Sequence, residues 1–272
     1  MEDRSRRPDY QEWRLHASQA PGLDALWMHG VGVTARPHRM PPHWQISLGV
    51  ERKRDRHGAL ASVHVLAIGP VENSYVYAPQ AGTELIALRV EPERATDVLG
   101  LHPREHRNLI SQLAPSSLVD PIRRLAEADA APHLVGGALL NALRPRLHEI
   151  ATARHAAHLA ASWLRESEGQ MRVDSLAVRL GVAERTLRRQ FVDTLGVSPK
   201  MYAGMVRLNA LLHAADGQDD PDWADLAVRF GFADQAHMVR SVAQMIGLTP
   251  SRLHRERRGV AEIFNTPPGS LG

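Results

Sequence analysis

Two stretches in the C-terminal third of the chain place arginine, glutamine and histidine side chains at helical spacing around apolar ones. Leu187 and Phe191 lie four residues apart in the first stretch, as do Met238 and Val242 in the second, which predicts a core-facing stripe on each helix. The residues of the opposite faces are Arg185, Arg188 and Arg189 in the first stretch and Gln235, His237 and Arg240 in the second. Arginine pairs with guanine and glutamine with adenine in the major groove of DNA, so the predicted chemistry is recognition of base edges.

A charged face on a single helix is more often only a solvated surface. Here the arrangement occurs twice, because each stretch has an arginine, Arg189 or Arg240, two residues after its first core-facing residue. The repetition favours DNA binding over a solvated face.

The repeat extends over the elements that would position these side chains. Leu176–Gly181 recurs as Leu226–Gly231, fifty residues later, and Gly196–Pro199 recurs as Gly247–Pro250 at an offset of fifty-one. Two copies are too few for a solenoid, so the pattern predicts a duplicated supersecondary unit.

Each copy predicts two helices joined by a tight turn. Asp174 and Asp222 are expected to cap the first helices, and Gly181 and Gly231 are expected to end them in a left-handed conformation. The second helices are predicted near 184–195 and 234–246. A short helix, a turn containing glycine and a longer second helix are typical of a helix-turn-helix.

A third helix is predicted after each pair, because Ser198 and Thr249 precede prolines and can serve as N-caps. In the first copy this helix would span roughly Pro199–Ala215, about 25 Å at the usual rise per residue. That length would hold the two second helices about one turn of DNA, roughly 34 Å, apart. Both helices would then enter successive major grooves on one face of the DNA.

These motifs resemble the AraC/XylS family of transcription regulators over about residues 155–257. The resemblance rests on the Leu-Ala pair of each unit, on Gly-Phe-Ala-Asp-Gln-Ala-His at 231–237 and on Gly-Leu-Thr-Pro-Ser at 247–251. It implies a sequence-specific DNA-binding regulator. By position, the implied base-contacting residues are Arg185, Arg188, Arg189, Gln235, Ala236, His237 and Arg240. The implied phosphate contacts are Thr186 and Ser251.

Two places depart from the family pattern. The family usually opens its first recognition helix with Ser or Thr, whereas this chain has Ala183 and lacks a cap worth about 1 kcal/mol. The second unit has Met-Val-Arg-Ser-Val-Ala at 238–243 where the family usually has Phe-x-Arg-x-Phe-Lys. Smaller apolar residues and the missing lysine bear on the strength of the second half-site contact.

The first ninety residues predict strands, because short apolar or alternating runs are separated by Gly and Pro. These runs are 23–28, 44–50, 61–68 and 83–90. Helical spacing then predicts helices near 92–99, 103–113 and 118–129, and a longer helix from Pro145. The apolar stripe of that longer helix is either core or a dimerisation surface. It consists of Leu147, Ile150, Ala157, Ala161 and Leu164.

The predicted fold class is α+β, with an N-terminal small β-sheet or half-barrel with helices and a C-terminal all-α domain with two helix-turn-helix units. The expected domains are a sensor or regulatory domain at 1–130, a helical linker at 131–158, a DNA-binding domain at 159–258 and a flexible tail at 259–272.

The N-terminal part has a weak similarity to sensor domains of AraC-type regulators, which implies an effector without naming it. Trp27, Trp44, Tyr75 and Tyr77 are either pocket residues or ordinary core. The expected partners are double-stranded DNA at a promoter or operator, a small-molecule effector, RNA polymerase if the protein is an activator, and a second copy in a homodimer.

Composition limits the remaining classes of function. The 272 residues are 43% hydrophobic and 23% charged, with no apolar run near the roughly 20 residues that span a bilayer and no apolar signal segment. We therefore expect a cytoplasmic, nucleoid-associated protein without membrane contact. The net charge of +3 mildly favours an anionic partner.

The main alternative is a cupin-like metal-dependent enzyme or sensor in the N-terminal sheet, a region that holds His29, His38, His43, His57 and His64. No His-x-His followed by a carboxylate has ligand-like spacing there, so no metal and no cofactor is predicted. An Ada-like repair protein needs a methyl-accepting cysteine, and the chain has none. The chain is therefore predicted not to be an enzyme.

Overall fold

The N-terminal part of the protein is an antiparallel sheet with helices, and the C-terminal part is helical. The computed structural model describes residues 10–15, 20, 22–30, 37–78, 80–148, 156–216 and 218–258. The architecture confirms the predicted α+β class.

Six strands form one antiparallel sheet in the order β1-β2-β7-β4-β5-β8, and β3 pairs with β6 in a second, two-stranded sheet. The strands are β1 (Tyr10–Arg14), β2 (Leu23–Gly30), β3 (His38–Met40), β4 (Ile46–Arg54), β5 (Leu60–Ile68), β6 (Tyr75–Tyr77), β7 (Thr83–Val90) and β8 (Ile110–Gln112). The four predicted runs are the four long strands. The other four strands have five residues or fewer and are too short for a clear alternation.

The six-stranded sheet has two faces of different character. Leu26, Leu88 and Leu48 are cross-strand neighbours on β2, β7 and β4, and all three are buried against helices. Trp27, Ala87 and Gly49 form the adjacent row, so they point to the opposite face. The first face is the floor of the N-terminal core, and the second face is turned toward the C-terminal part.

A short 3-10 helix, Pro92–Arg94, leads into the helices. These are α1 (Ala95–Leu99), α2 (Val119–Glu127), α3 (Pro132–His148), α4 (Ala156–Glu166), α5 (Val173–Arg179), α6 (Glu184–Leu195), α7 (Pro199–Asp216), α8 (Trp223–Arg229), α9 (Gln235–Ile246) and α10 (Pro250–Arg258). The predictions for 92–99 and 118–129 are confirmed within a few residues.

The helix predicted near 103–113 is wrong. The segment runs through turns and ends in β8, where Ile110 pairs with Ile68 on β5. Asn108 takes a left-handed φ of 58°, and its backbone amide donates to the carbonyl of Pro70 at 2.7 Å. Pairing with the sheet edge therefore outweighs the helical spacing of the apolar residues.

The helix predicted to start at Pro145 is also wrong, because Pro145 lies inside α3, which begins at Pro132. Proline suits the first turn of a helix, and Pro132 takes that role. Leu147 packs in the sheet core, whereas Ala157, Ala161 and Leu164 pack in a different core. The expected stripe is therefore divided between two cores, and its Ile150 lies outside the described residues.

Three apolar cores follow one another along the chain. The first joins the sheet to α1, α2 and α3, and its α3 members are Val135, Leu139, Leu143 and Leu147. The second contains α4, α5 and α6 with the start of α7, and the third contains the end of α7 with α8, α9 and α10. The expected domain boundaries stay predictions, but α3 packs with the sheet.

The end of α6 touches the N-terminal part. Gly196 closes α6 at a φ of 76°, and a Cβ placed there would lie 2.8 Å from the carbonyl carbon and oxygen of Pro103. Gly247 closes α9 in the same way at a φ of 79°, but a Cβ there would meet no described atom within 4 Å. The two glycines share a backbone constraint, and only Gly196 is also sterically enclosed.

This pair predicts two different losses of stability. Gly247→Ala should lower the free energy of unfolding by about 1 kcal/mol, the usual cost of a left-handed L-residue. Gly196→Ala should cost more, because the backbone at Pro103 must also move. Thermal unfolding followed by circular dichroism measures both variants. Equal losses would show that Pro103 does not enclose Gly196 in solution.

Candidate nucleic-acid interface

The first helix of unit one begins earlier than predicted. α5 starts at Val173 with Arg172 in the N-cap position, so the prediction that Asp174 caps it is wrong. Asp174 instead lies in the first turn, where it pairs with Arg172 at 2.7 Å and accepts a hydrogen bond from the amide of Ser175 at 2.6 Å. These hydrogen bonds lower the pKa of Asp174 to about 2. The local partner Arg172 therefore draws the carboxylate away from capping.

The equivalent prediction in unit two is confirmed. Asp222 is the N-cap of α8, and its carboxylate accepts hydrogen bonds from the amides of Ala224 and Asp225, both at 3.0 Å. The cap satisfies two amides that the helix leaves without partners.

The turns of the two units have the same geometry. Gly181 and Gly231 take left-handed φ values of 65° and 70°, as predicted. The residue after each glycine donates back to the preceding helix, from Val182 to Ala177 at 3.1 Å and from Phe232 to Ala227 at 2.9 Å. The turn between α5 and α6 and the turn between α8 and α9 therefore share a left-handed glycine and the same backbone hydrogen bond.

The second helices, α6 and α9, differ at their N-termini. Ala183 is the N-cap of α6 and has no polar side chain to accept an amide hydrogen. Asp234 is the N-cap of α9 and accepts from the amide of His237 at 2.6 Å. The start of α6 therefore leaves more of its amides to external acceptors than the start of α9 does.

The buried faces of α6 and α9 agree with the predicted stripes. Leu187, Phe191 and Leu195 of α6 are buried. Met238, Val242 and Ile246 of α9 are also buried. The smaller apolar residues of the second unit therefore still fill its core.

The opposite faces carry the predicted DNA-contacting residues. The exposed ones are Arg185, Arg188 and Arg189 on α6, Gln235, Ala236 and Arg240 on α9, and Ser251 on α10. Thr186 and His237 are half-buried. Within the part of the chain that the structure describes, none of the four arginines is in an ion pair, so their guanidinium groups are open to an external anion. Their contacts with DNA stay predictions.

His237 also has a structural role that the sequence did not reveal. Its Nδ1 accepts a hydrogen bond from the amide of Ala233 at 3.2 Å, and its ring lies 5.7 Å from that of Phe232, edge to face. An accepting Nδ1 places the proton of the neutral ring on Nε2. The side chain thus closes the turn and keeps one donor for another partner.

One helix connects the two units. α7 has 18 residues, which corresponds to a length of about 27 Å. Tyr202 and Met205 near its start belong to the second core, whereas Leu208, Leu211 and Leu212 belong to the third. Ser198, which caps α7 through the amide of Met201, confirms the predicted start.

Contacts from the N-terminal part reach the ends of both second helices. Ser74 donates from Oγ to the carbonyl of Ile246 at the end of α9, at 2.6 Å. Arg104 pairs with Asp193 near the end of α6 at 3.0 Å. These residues were missed because partners 172 and 89 positions apart leave no signal in a local pattern.

A cavity of about 610 Å³ separates the second face of the sheet from α7. Trp27, Trp44, Tyr75 and Tyr77 all line it, and Trp44 also packs against the second core. His43 also lines it, and burial together with the positive charge of Arg89 lowers the pKa of His43 to about 4. His43 is therefore neutral at neutral pH.

The alternative function, a cupin-like metal site formed by histidines of the N-terminal sheet, has little geometric support among the described residues. No three of their His, Asp and Glu side chains are grouped so that they could hold a metal ion. His57 is exposed on the turn between β4 and β5, and the side chain of His38 lies outside the described residues. None of the described helices combines the length and apolarity that a membrane span requires.

Comparisons with known proteins agree with the C-terminal geometry. Residues 176–256 match the family model HTH_18, described as a helix-turn-helix domain. No curated protein shows a significant similarity to the sequence.

Two solved structures have a loosely similar arrangement. The C-terminal domain of AraT, a response regulator from Geobacillus stearothermophilus, is 19% identical, with 39% of this chain and 89% of that chain covered and a TM-score of 0.36. ToxT from Vibrio cholerae is 7% identical, with 92% of this chain and 98% of that chain covered and a TM-score of 0.44.

The matched segment begins at Leu176 in α5 and ends at Glu256 in α10, so it contains both turns, both second helices and the connecting α7. Residues 176–256 of this chain are thus a helix-turn-helix domain of the AraC type.

Proposed function

We propose that the protein is a sequence-specific regulator of transcription that binds double-stranded DNA with α6 and α9 in successive major grooves. The observation that carries the proposal is the duplication itself. Two helices with buried apolar faces expose polar faces that carry arginine, three on α6 and one on α9, and a single buried helix connects them. A helix presented in this way is the usual reading element of a helix-turn-helix protein.

The proposed base contacts are Arg185, Arg188 and Arg189 from α6 and Gln235, Ala236, His237 and Arg240 from α9. Arginine and glutamine form two hydrogen bonds with guanine and adenine, and Ala236 offers a methyl contact to thymine. Thr186 and Ser251 are proposed to contact phosphates. Exposure of the arginines and their lack of acidic partners among the described residues support these roles.

We further propose that an effector modulates DNA binding through the N-terminal part. The cavity supports this, because α7 forms one of its walls and the N-terminal residues Ser74 and Arg104 bond to the ends of α9 and α6. A molecule in the cavity would touch both parts of the chain. From the family resemblance, we also propose that the protein is a homodimer in the cytoplasm and that, as an activator, it contacts RNA polymerase.

The direct test is a gel-shift titration with DNA from upstream of the protein's own gene and its neighbours, in excess nonspecific competitor. A specific shift at nanomolar protein is expected, with a steep loss as salt rises because phosphate contacts release counterions. If genomic fragments pulled down with the folded protein show no enriched sequence, the proposal is wrong.

If Arg189 and Arg240 contact bases, removing either side chain should weaken specific DNA binding. Arg189→Ala and Arg240→Ala should each weaken specific binding by about 1–3 kcal/mol and relax the sequence preference at one base pair. Arg144→Ala is the matched control, since Arg144 is exposed on α3 in the N-terminal part. Binding as tight as wild type in a folded variant would remove that residue from the interface.

Separate cores predict that the C-terminal part folds by itself. A fragment lacking residues 1–150 loses Trp44, which packs against the second core, and Glu93, the partner of Arg165, but it retains every fully buried member of the second and third cores. It should therefore still be helical, unfold cooperatively and bind the same DNA. Circular dichroism and the gel shift measure these properties. An unfolded fragment would show that the N-terminal contacts are required for the fold.

A further inference from the structure

The cavity lies against the second face of the sheet. Residues of the long strands line it there, among them Trp27 and His29 of β2, Ser47 of β4, and Leu85 and Arg89 of β7. The opposite wall comes from α7, through Val206, Asn209, Ala210 and His213. About 610 Å³ is within the range of sites for small organic molecules.

Aromatic rings supply much of the apolar lining. Trp44 is held by Tyr202, with ring centroids 5.4 Å apart, and Tyr77 by His29, with centroids 5.7 Å apart. Trp27 and Tyr75 complete the set of four Trp and Tyr residues in the wall. Such rings present negative faces, which attract a cation as well as an apolar body.

Three of the arginines in the wall already have acidic partners. The pairs are Arg89 with Glu12 and Asp24, Arg165 with Glu93, and Arg257 with Asp216. The fourth, Arg14, is exposed on the edge strand β1. An anionic ligand would therefore have to break an existing pair or remain at the exposed edge.

Glu91 is an acidic residue of the cavity wall that takes no part in these ion pairs. Among the described residues its carboxylate makes no hydrogen bond and no ion pair, although the side chain is half-buried and lines the cavity. Burial, and then the charge of nearby Glu93, raise the pKa of Glu91, although the charges of Arg165 and Arg94 act in the opposite direction. A carboxylate held in this environment gains most from a positively charged partner that enters the cavity.

We propose that the cavity binds an organic cation whose charge lies against Glu91 and whose apolar or aromatic body lies among Trp27, Trp44, Tyr75 and Tyr77. As the identity of an effector, this rests on the regulatory function proposed above. As a binding site, it rests only on the cavity. The ligand class is thus a hydrophobic amine, quaternary ammonium or phosphonium ion.

The test compares probes of similar shape and different charge by isothermal titration calorimetry on the full chain without DNA. Tetraphenylphosphonium should bind, and its near-isosteric anion tetraphenylborate should bind at least about tenfold more weakly, a difference of about 1.4 kcal/mol. Neutral triphenylphosphine oxide should fall between them. Equal or tighter binding of the anion would overturn the proposal, as would no binding of the phosphonium ion.

A variant pair locates the charge. Glu91→Gln keeps the shape of the side chain and should weaken tetraphenylphosphonium binding about tenfold, while binding of triphenylphosphine oxide changes little. Glu127→Gln is the matched control, since Glu127 is exposed on α2 in the N-terminal core away from the cavity. Equal effects of the two variants, or equal losses for cation and neutral probe, would contradict the role of Glu91.

The two proposals fail separately. If the protein binds DNA specifically in the gel shift but binds the cation no more tightly than the anion, the proposed ligand class is wrong and the proposed regulatory function is unaffected. If tetraphenylphosphonium binds through Glu91 but no DNA sequence is enriched, the cavity assignment stands and the DNA-binding function is wrong.

Discussion

The rest of the structure depends on the burial of α7 (Pro199–Asp216) against three neighbours. Its first half completes the core under α6, and its second half completes the core under α9. Between them, Val206, Asn209 and Ala210 face the cavity beneath the sheet. A helix packed in this way cannot shift without loosening apolar contacts in both units, because interiors are close-packed. The separation of the two exposed arginine-bearing faces is therefore a property of one rigid element.

A buried polar cluster connects that helix to the N-terminal part. Tyr202 of α7 accepts a hydrogen bond from Arg165 of α4 at 2.7 Å, and Arg165 pairs with Glu93 of the short 3-10 helix. Burial raises the pKa of Tyr202. Buried charges need partners, so separating the two parts would expose or orphan this cluster. This cluster and the contacts of Ser74 and Arg104 connect the N-terminal part to α7 and to the ends of α9 and α6.

Much of the C-terminal geometry could be predicted because it is local. The repeat, the left-handed Gly181 and Gly231, and the capping by Asp222 all follow from residues within a few positions of one another. The wrong predictions concern residues for which another partner competed, either one close by in the sequence or one far along the chain. Asp174 paired with Arg172 instead of capping, and the 103–113 segment joined the edge of β5. Pro145 was taken as a helix start because Pro132, thirteen residues earlier, has the same preference.

By itself the sequence determined the class of fold, the paired helices with their glycine turns and the polar faces of α6 and α9, because periodicity and caps act over one or two helical turns. It named the four aromatic residues of the cavity but left open whether they were core. Only the tertiary structure placed them around the cavity, since β2, β6 and the segment before β4 lie opposite α7 there. The same holds for Glu91, which forms no ion pair within the described part of the chain because Arg165 pairs with Glu93 instead. Arg165 and Glu93 are 72 positions apart, so their pairing results from tertiary packing and cannot be predicted from a local sequence pattern.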